Sequence, residues 1–124
     1  MSQPTSSTSA MKARQCAKIA ELRKILEQAG YHSLSEQAVV LRLSRSTTWA
    51  LLKANYKASG VSGSIIKRML RAPGLPLAVT QWIDEYVGEK LAGNYGHRRD
   101  RLRIFKAHVE LGDGAVPNLQ REAG

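Results

Sequence analysis

Apolar residues in this chain recur at spacings of three and four, which is the period of an α-helix. No stretch alternates over five or more residues as a half-buried strand does. The clearest stripe follows Pro76 and consists of Val79, Trp82, Ile83, Tyr86, Val87 and Leu91. The pattern therefore predicts an all-α fold, a compact bundle of five to six helices.

Local signals predict where these helices begin and end. Ser33 and Glu36 have the spacing of a capping box, in which each side chain satisfies a backbone N–H at a helix start. Ser44 and Ser62 are N-cap candidates, and Pro76 suits a first helical turn. Together these signals predict helices over about residues 10–29, 33–41, 45–55, 62–71, 76–92 and 98–111.

The same signals define one domain with two loose ends. Residues 1–9 are rich in Ser, Thr, Gln and Pro, a composition typical of disorder. Residues 10–111 form the predicted all-α domain, in which residues 93–111 serve as a C-terminal dimerisation helix or a basic helix. Residues 112–124 are expected to be a flexible tail.

The net charge of +9 is distributed unevenly along the chain. Residues 1–36 hold five basic and three acidic side chains, and residues 84–124 hold seven of each. Residues 37–83, here called the carboxylate-free window, hold seven basic side chains and no Asp or Glu. Basic helix faces are usually interleaved with carboxylates, so this window favours a polyanionic partner over a surface that is charged only for solubility.

A short sequence motif lies inside the window. The predicted helices at 33–41 and 45–55 are separated by Arg42, Leu43 and Ser44 alone. A helix, a tight turn and a second helix form the helix-turn-helix unit, whose second helix enters the major groove of DNA. Residues 33–53 resemble this unit in the helix-turn-helix transcriptional regulators of bacteria and phages. The resemblance places small Ala38 at the helix crossing, and Leu43 and Leu51 in the core.

Two residues depart from the pattern of that family. Arg42 stands where the turn usually has Gly in a left-handed conformation, which costs a non-Gly residue roughly 1 kcal/mol. Thr48 stands where the family usually has Val or Ile, so its hydroxyl is expected to bond back to the preceding turn. We therefore expect a strained or slightly altered turn.

The resemblance implies a set of base-reading residues, and basic and hydroxyl side chains inside and outside the motif add candidates for phosphate contacts. The base-reading set on the third helix is Arg45, Ser46, Trp49, Ala50 and Lys53. Arg45 leads this set, because a guanidinium at the helix start can bond O6 and N7 of guanine together. The phosphate-binding candidates are Arg42, Ser44, Thr47, Lys57, Lys67, Arg68, Arg98 and Arg99. Arg98 and Arg99 open a second basic cluster, for which a solvated helix face is an equal alternative.

Trp49 permits two interpretations. With Leu52 and Tyr56 it forms a stripe at spacings of three and four, which more often indicates packing against a neighbouring helix than contact with DNA. Packing is therefore the favoured interpretation of Trp49, and base contact is the alternative.

Other classes of function lack their motifs. The single Cys16 excludes an internal disulfide and a multi-cysteine zinc site, and the three histidines are far apart in sequence. Phosphate-loop and nucleophile-elbow motifs are missing, so we expect no enzyme, no cofactor and no metal. No apolar run is long enough for a membrane helix, and we expect a cytoplasmic, nucleoid-associated protein.

The expected function is sequence-specific binding of double-stranded DNA by a transcriptional regulator. Two alternatives stay open: a DNA-bending accessory factor of recombination or excision, and a helical adaptor whose basic face binds an acidic protein. The apolar stripes of the first, fifth and sixth helices exceed the needs of a three-helix core, which favours a homodimer. A regulatory protein partner fits the short chain better than a sensor domain does.

Overall fold

The computed structural model describes residues 4–52 and 60–111, which form six α-helices and no strand. The helices are α1 Pro4–Gln28, α2 Leu34–Leu41, α3 Arg45–Leu52, α4 Gly63–Leu70, α5 Leu77–Leu91 and α6 Arg99–Leu111. The predicted all-α bundle is confirmed for this part of the chain.

Serine caps begin α2 and α4 as predicted. The Ser33 hydroxyl accepts from the N–H of Glu36, and the Glu36 carboxylate accepts from the N–H of Ser33, both at 3.1 Å. Backbone N–H groups of Ser33 and His32 hold the pKa of Glu36 below its ordinary value. The Ser62 hydroxyl accepts from the N–H of Ile65 at 3.3 Å. Each of these two helices begins one residue after its capping serine.

The first helix is longer than predicted. It begins at Pro4, so residues 4–9 are helical although their composition predicts disorder. Proline suits a first turn because the N–H that it lacks would have no partner there. The predicted tail at 112–124 and the predicted end of the third helix at 53–55 lie outside the described residues.

Helix α1 connects the two halves of the bundle. It packs against α3 and α5, while α2 packs against α3, and both α4 and α5 pack against α6. Most of the apolar stripe residues of α1 and α5, and Phe105 of α6, are buried in the core of the single chain: Ile19, Leu22, Leu26, Val79, Trp82, Ile83, Tyr86 and Phe105. These stripes were the reason to expect a homodimer, and intramolecular packing now accounts for most of their residues. Homodimerisation stays a prediction.

Tyr86 on α5 lies at the centre of the α1–α5–α6 packing. Its hydroxyl donates to Oε1 of Gln15 at 2.7 Å and accepts from the N–H of Val61 at 2.9 Å. Its ring stacks on Trp82 at 5.1 Å and on Tyr95 at 5.4 Å between ring centroids. Gly60, with φ +72°, borders this network, and a Cβ there would overlap the Gln15 amide and the Tyr86 hydroxyl. Only glycine fits such a close approach.

A second glycine lets α4 lie close to α6. A Cβ on Gly63 would lie 2.5 Å from the carbonyl oxygen of Phe105 and 2.7 Å from Cβ of His108. Both atoms belong to α6, so any larger residue at position 63 would push the two helices apart. The start of α4 is therefore fixed against the middle of α6.

Candidate nucleic-acid interface

The turn between α2 and α3 has the backbone conformation predicted for it. Arg42 has φ 61° and ψ 43°, in the left-handed region, and is the only non-glycine residue with positive φ among those described. The N–H of Arg42 donates to Val39 O at 3.1 Å, and that of Leu43 donates to Ala38 O at 3.0 Å. These two bonds end α2 in the manner of a left-handed C-cap, with arginine in place of the usual glycine.

The apolar positions of the motif are buried as the resemblance implies. Ala38, Leu43 and Leu51 are all core residues, and Leu41 is fully buried. The two eight-residue helices therefore pack on one another across a turn of three residues, 42–44. This arrangement determines which face of α3 is free.

Ser44 and Thr48 hold the start of α3. The Ser44 hydroxyl accepts from the N–H of Thr47 at 3.1 Å and donates to Oγ1 of Thr47 at 2.9 Å. Thr48 is fully buried, and its hydroxyl donates to the Ser44 carbonyl at 2.8 Å, as predicted. Since the Ser44 hydrogen is used within the cap, Thr47 is better placed than Ser44 to donate to a phosphate.

The solvent side of α3 carries most of the predicted base-reading residues. Arg45 and Ser46 are exposed, Ala50 is half-buried, and the Trp49 side chain is 52% exposed. Lys53 lies outside the described residues, as does the phosphate candidate Lys57. Four of the five predicted base readers thus lie on the described part of α3, and three of them are exposed.

Of the stripe that favours packing for Trp49, Leu52 is buried and Trp49 is 52% exposed, while Tyr56 lies outside the described residues. The buried face of α3 consists of Thr48, Leu51 and Leu52, which are spaced by three and four. Trp49 is one residue beyond Thr48 and is therefore rotated by about 100° from that face. It lies at the edge of the free face, next to Arg45 one turn earlier.

The remaining phosphate candidates have different surroundings. Arg42, Arg68 and Arg99 are exposed. The Lys67 ammonium donates to the carbonyl oxygen of Glu110 at 3.2 Å, and Arg98 pairs with Asp100 at 3.4 Å. Lys67 therefore stabilises the C-terminal end of α6, where free carbonyls and the helix dipole attract a cation.

Sequence reasoning missed the buried amine of Lys90. Its side chain is 4% exposed, its Nζ donates to Val61 O at 3.0 Å, and it lies 4.3 Å from the centroid of the Phe105 ring. Burial lowers the pKa of Lys90 to about 8. Its position four residues after Tyr86, on the apolar stripe of α5, was the available signal.

None of the described helices has the length and apolar character needed to cross a bilayer. No group of three or more His, Cys, Asp or Glu side chains in the described ranges is arranged to hold a metal ion. No family model, curated protein or solved structure matches this chain.

Proposed function

We propose that this chain is a sequence-specific double-stranded DNA-binding protein, acting as a transcriptional regulator, that inserts α3 into the major groove. The observation that carries the proposal is the division of α3 into two faces. Thr48, Leu51 and Leu52 anchor the helix in the core, while Arg45 and Trp49 face solvent. A helix held in this way presents its first turn to a groove without rearrangement.

The exposed side chains have the chemistry of base recognition. The Arg45 guanidinium can donate two hydrogen bonds to one guanine, which discriminates against other bases by about 1–3 kcal/mol. The Ser46 hydroxyl can donate to or accept from a base edge, and the Ala50 methyl suits the methyl group of thymine. The exposed Trp49 ring adds apolar contact beside Arg45.

The charge around α3 supports a polyanionic partner. The helix lies within the carboxylate-free window, so no acidic side chain of the neighbouring sequence repels phosphates. Arg42 and Thr47 flank the free face of α3, and Arg68 and Arg99 are exposed on other helices. Contacts of these residues to phosphates supply affinity and register without sequence information.

The test compares Arg45→Ala with Lys24→Ala, a matched loss of one exposed positive charge on α1, outside the window. Bound sequences are first selected from random duplexes, and affinities are then measured by gel shift on the selected and on random DNA. We expect Arg45→Ala to weaken binding to the selected site roughly 10- to 100-fold, with little change on random DNA. Lys24→Ala should leave both affinities almost unchanged.

Two further measurements separate the alternatives. Affinity should fall steeply between about 50 and 200 mM salt because phosphate contacts release counterions. Two results would contradict the proposal and favour the protein adaptor. One is an affinity for DNA that does not change with salt concentration, and the other is an equal loss of affinity for selected and random DNA in Arg45→Ala. A strong bend of the bound site in a circular-permutation gel assay would favour the recombination accessory factor.

A homodimer on two half-sites about one DNA turn apart is part of the proposal. Analytical ultracentrifugation of the chain, free and on the full selected site, measures its stoichiometry. A monomer under both conditions excludes the dimer and leaves the α3 interface itself untouched.

A further inference from the structure

A cavity of about 520 Å³ opens between α4, α6, the end of α5 and the loop at 93–98. The volume lies within the range of about 300–1,000 Å³ that is usual for small-molecule sites. The close approach at Gly63 forms one wall, and the side of α6 that carries Arg101 and Phe105 forms another. No residue of α3 is among the described residues that line it, so the cavity is separate from the proposed DNA-reading helix.

The described lining has one sign of charge. It contains Lys12, Lys90, Arg98 and Arg101 together with His97 and His108, and it contains no Asp or Glu. Two carboxylates are bonded to lining residues: Glu89 accepts from the Tyr95 hydroxyl at 2.6 Å, and Asp100 pairs with Arg98 at 3.4 Å. Arg98 and Asp100 are well exposed, at 80% and 58%, so solvent screens this pair and a bound anion can compete for the guanidinium.

The cations are arranged by depth. Lys12, Arg98 and Arg101 are exposed, whereas Lys90 and the Phe105 ring are buried and are here called the floor of the cavity. The Val61 carbonyl and the Phe105 ring hold the Lys90 ammonium in place. Because the pKa of Lys90 stays near 8, the amine is mostly protonated at pH 7. A concave surface with cations at both depths concentrates the field on an anion inside it.

We propose that this basic cavity binds a small anionic ligand carrying a phosphate group or a comparable dianion, with Arg98 and Arg101 as its main partners and Lys90 beneath it. The Arg98 and Arg101 guanidinium groups offer paired donors, the geometry that phosphates favour. The proposal goes beyond DNA binding and does not depend on it.

The test is isothermal titration calorimetry of the full chain, without DNA, with inorganic phosphate, pyrophosphate and AMP as three separate probes. We expect saturable binding of at least one probe at one site per chain. The double variant Arg98→Gln/Arg101→Gln should lower its affinity about tenfold or more, the effect of losing a charged hydrogen bond. The matched control is Arg103→Gln/Lys106→Gln, which removes the same charge from exposed positions on α6 outside the lining. It should change the affinity less than about twofold.

The three probes identify which part of a ligand is recognised. Binding of inorganic phosphate would show that the site recognises the anionic group alone. Binding of AMP, without binding of the other two probes, would show that the aromatic floor contributes to recognition as well. Both results support the proposal. Failure of all three probes to saturate the protein overturns the proposal. Equal losses of probe affinity in both double variants also overturn it, because they would show unspecific attraction to positive charge. Displacement of the probe by random duplex DNA would make the cavity part of a DNA interface, which also overturns it.

Discussion

At the scale of single residues, Arg42 stores backbone strain in the turn between α2 and α3. A left-handed conformation costs a residue with a Cβ roughly 1–2 kcal/mol, whereas glycine adopts it freely but loses more entropy on folding. We expect Arg42→Gly to raise the free energy of unfolding by about 0.5–1 kcal/mol. Urea denaturation followed by circular dichroism measures this change.

The control for this prediction is Arg42→Ala. Alanine removes the same charge from the basic window but keeps the Cβ and hence the strain. It should therefore be no more stable than the natural chain. Equal stabilisation by glycine and alanine would show that relief of charge repulsion, and not backbone conformation, explains the gain.

At the scale of the helices, the start of α3 depends on its cap. The Ser44 hydroxyl satisfies the N–H of Thr47, and loss of an N-cap hydroxyl typically costs about 1 kcal/mol. We expect Ser44→Ala to lower the free energy of unfolding by about that amount. Ser46→Ala, the same change at an exposed position in the first turn of the same helix, should stay within about 0.5 kcal/mol of the natural chain. Thermal or urea unfolding measures both variants. Equal losses in their free energies of unfolding would contradict the capping role of Ser44.

The helix ends could be predicted because their causes lie within a few residues in sequence. Ser33, Ser44 and Ser62 cap by bonding N–H groups three residues ahead, so a short stretch of sequence contains the whole interaction. The sequence leaves two interpretations of Trp49 open, because a spacing pattern shows which residues share a face and not which face becomes buried. The side-chain pattern predicts a stripe, and the packing of α3 on α1 and α2 decides its direction.

Features that depend on distant parts of the chain were not predictable. Lys67 donates to the carbonyl of Glu110 across 43 positions, and the Tyr86 hydroxyl donates to Gln15 across 71. The basic cavity likewise combines α1, α4, α5, α6 and the 93–98 loop. No local signal specifies such pairings, because they follow from the tertiary arrangement of helices. The DNA-binding candidates on α3 were accessible to sequence reasoning only because they occupy one continuous segment.

At the scale of the whole molecule, Lys90 links the segment before α4 to helices α5 and α6. Its ammonium bonds the Val61 carbonyl ahead of α4 and lies over rings of α5 and α6, 5.7 Å from the Tyr86 centroid and 4.3 Å from that of Phe105. Burial of this charge opposes folding, because water solvates an ammonium better than the core does. The stability of the bundle should therefore change with pH where Lys90 loses its proton.

The direction of that change follows from the two pKa values. Burial lowers the pKa of Lys90 to about 8 in the folded chain, against 10.5 for an ordinary lysine, so the unfolded chain binds more protons between these values. The desolvation cost is present in full below pH 8 and is relieved as pH rises toward 10.5. We expect the free energy of unfolding of the natural chain, relative to Lys90→Met, to rise by about 2 kcal/mol between pH 7 and pH 10.

Urea denaturation of both proteins across this pH range measures the difference in their free energies of unfolding. The contributions of titratable groups that the two proteins share cancel in this difference. Burial raises the pKa of Tyr95 above its ordinary value, for example, which affects both proteins equally. Lys24→Met, the same substitution at an exposed position on α1, serves as the control for the loss of one lysine. A difference between the natural chain and Lys90→Met that stays constant from pH 7 to pH 10 would mean that Lys90 keeps an ordinary pKa. The ammonium would then be solvated in the native bundle, and the cavity floor would be wetter than its burial implies.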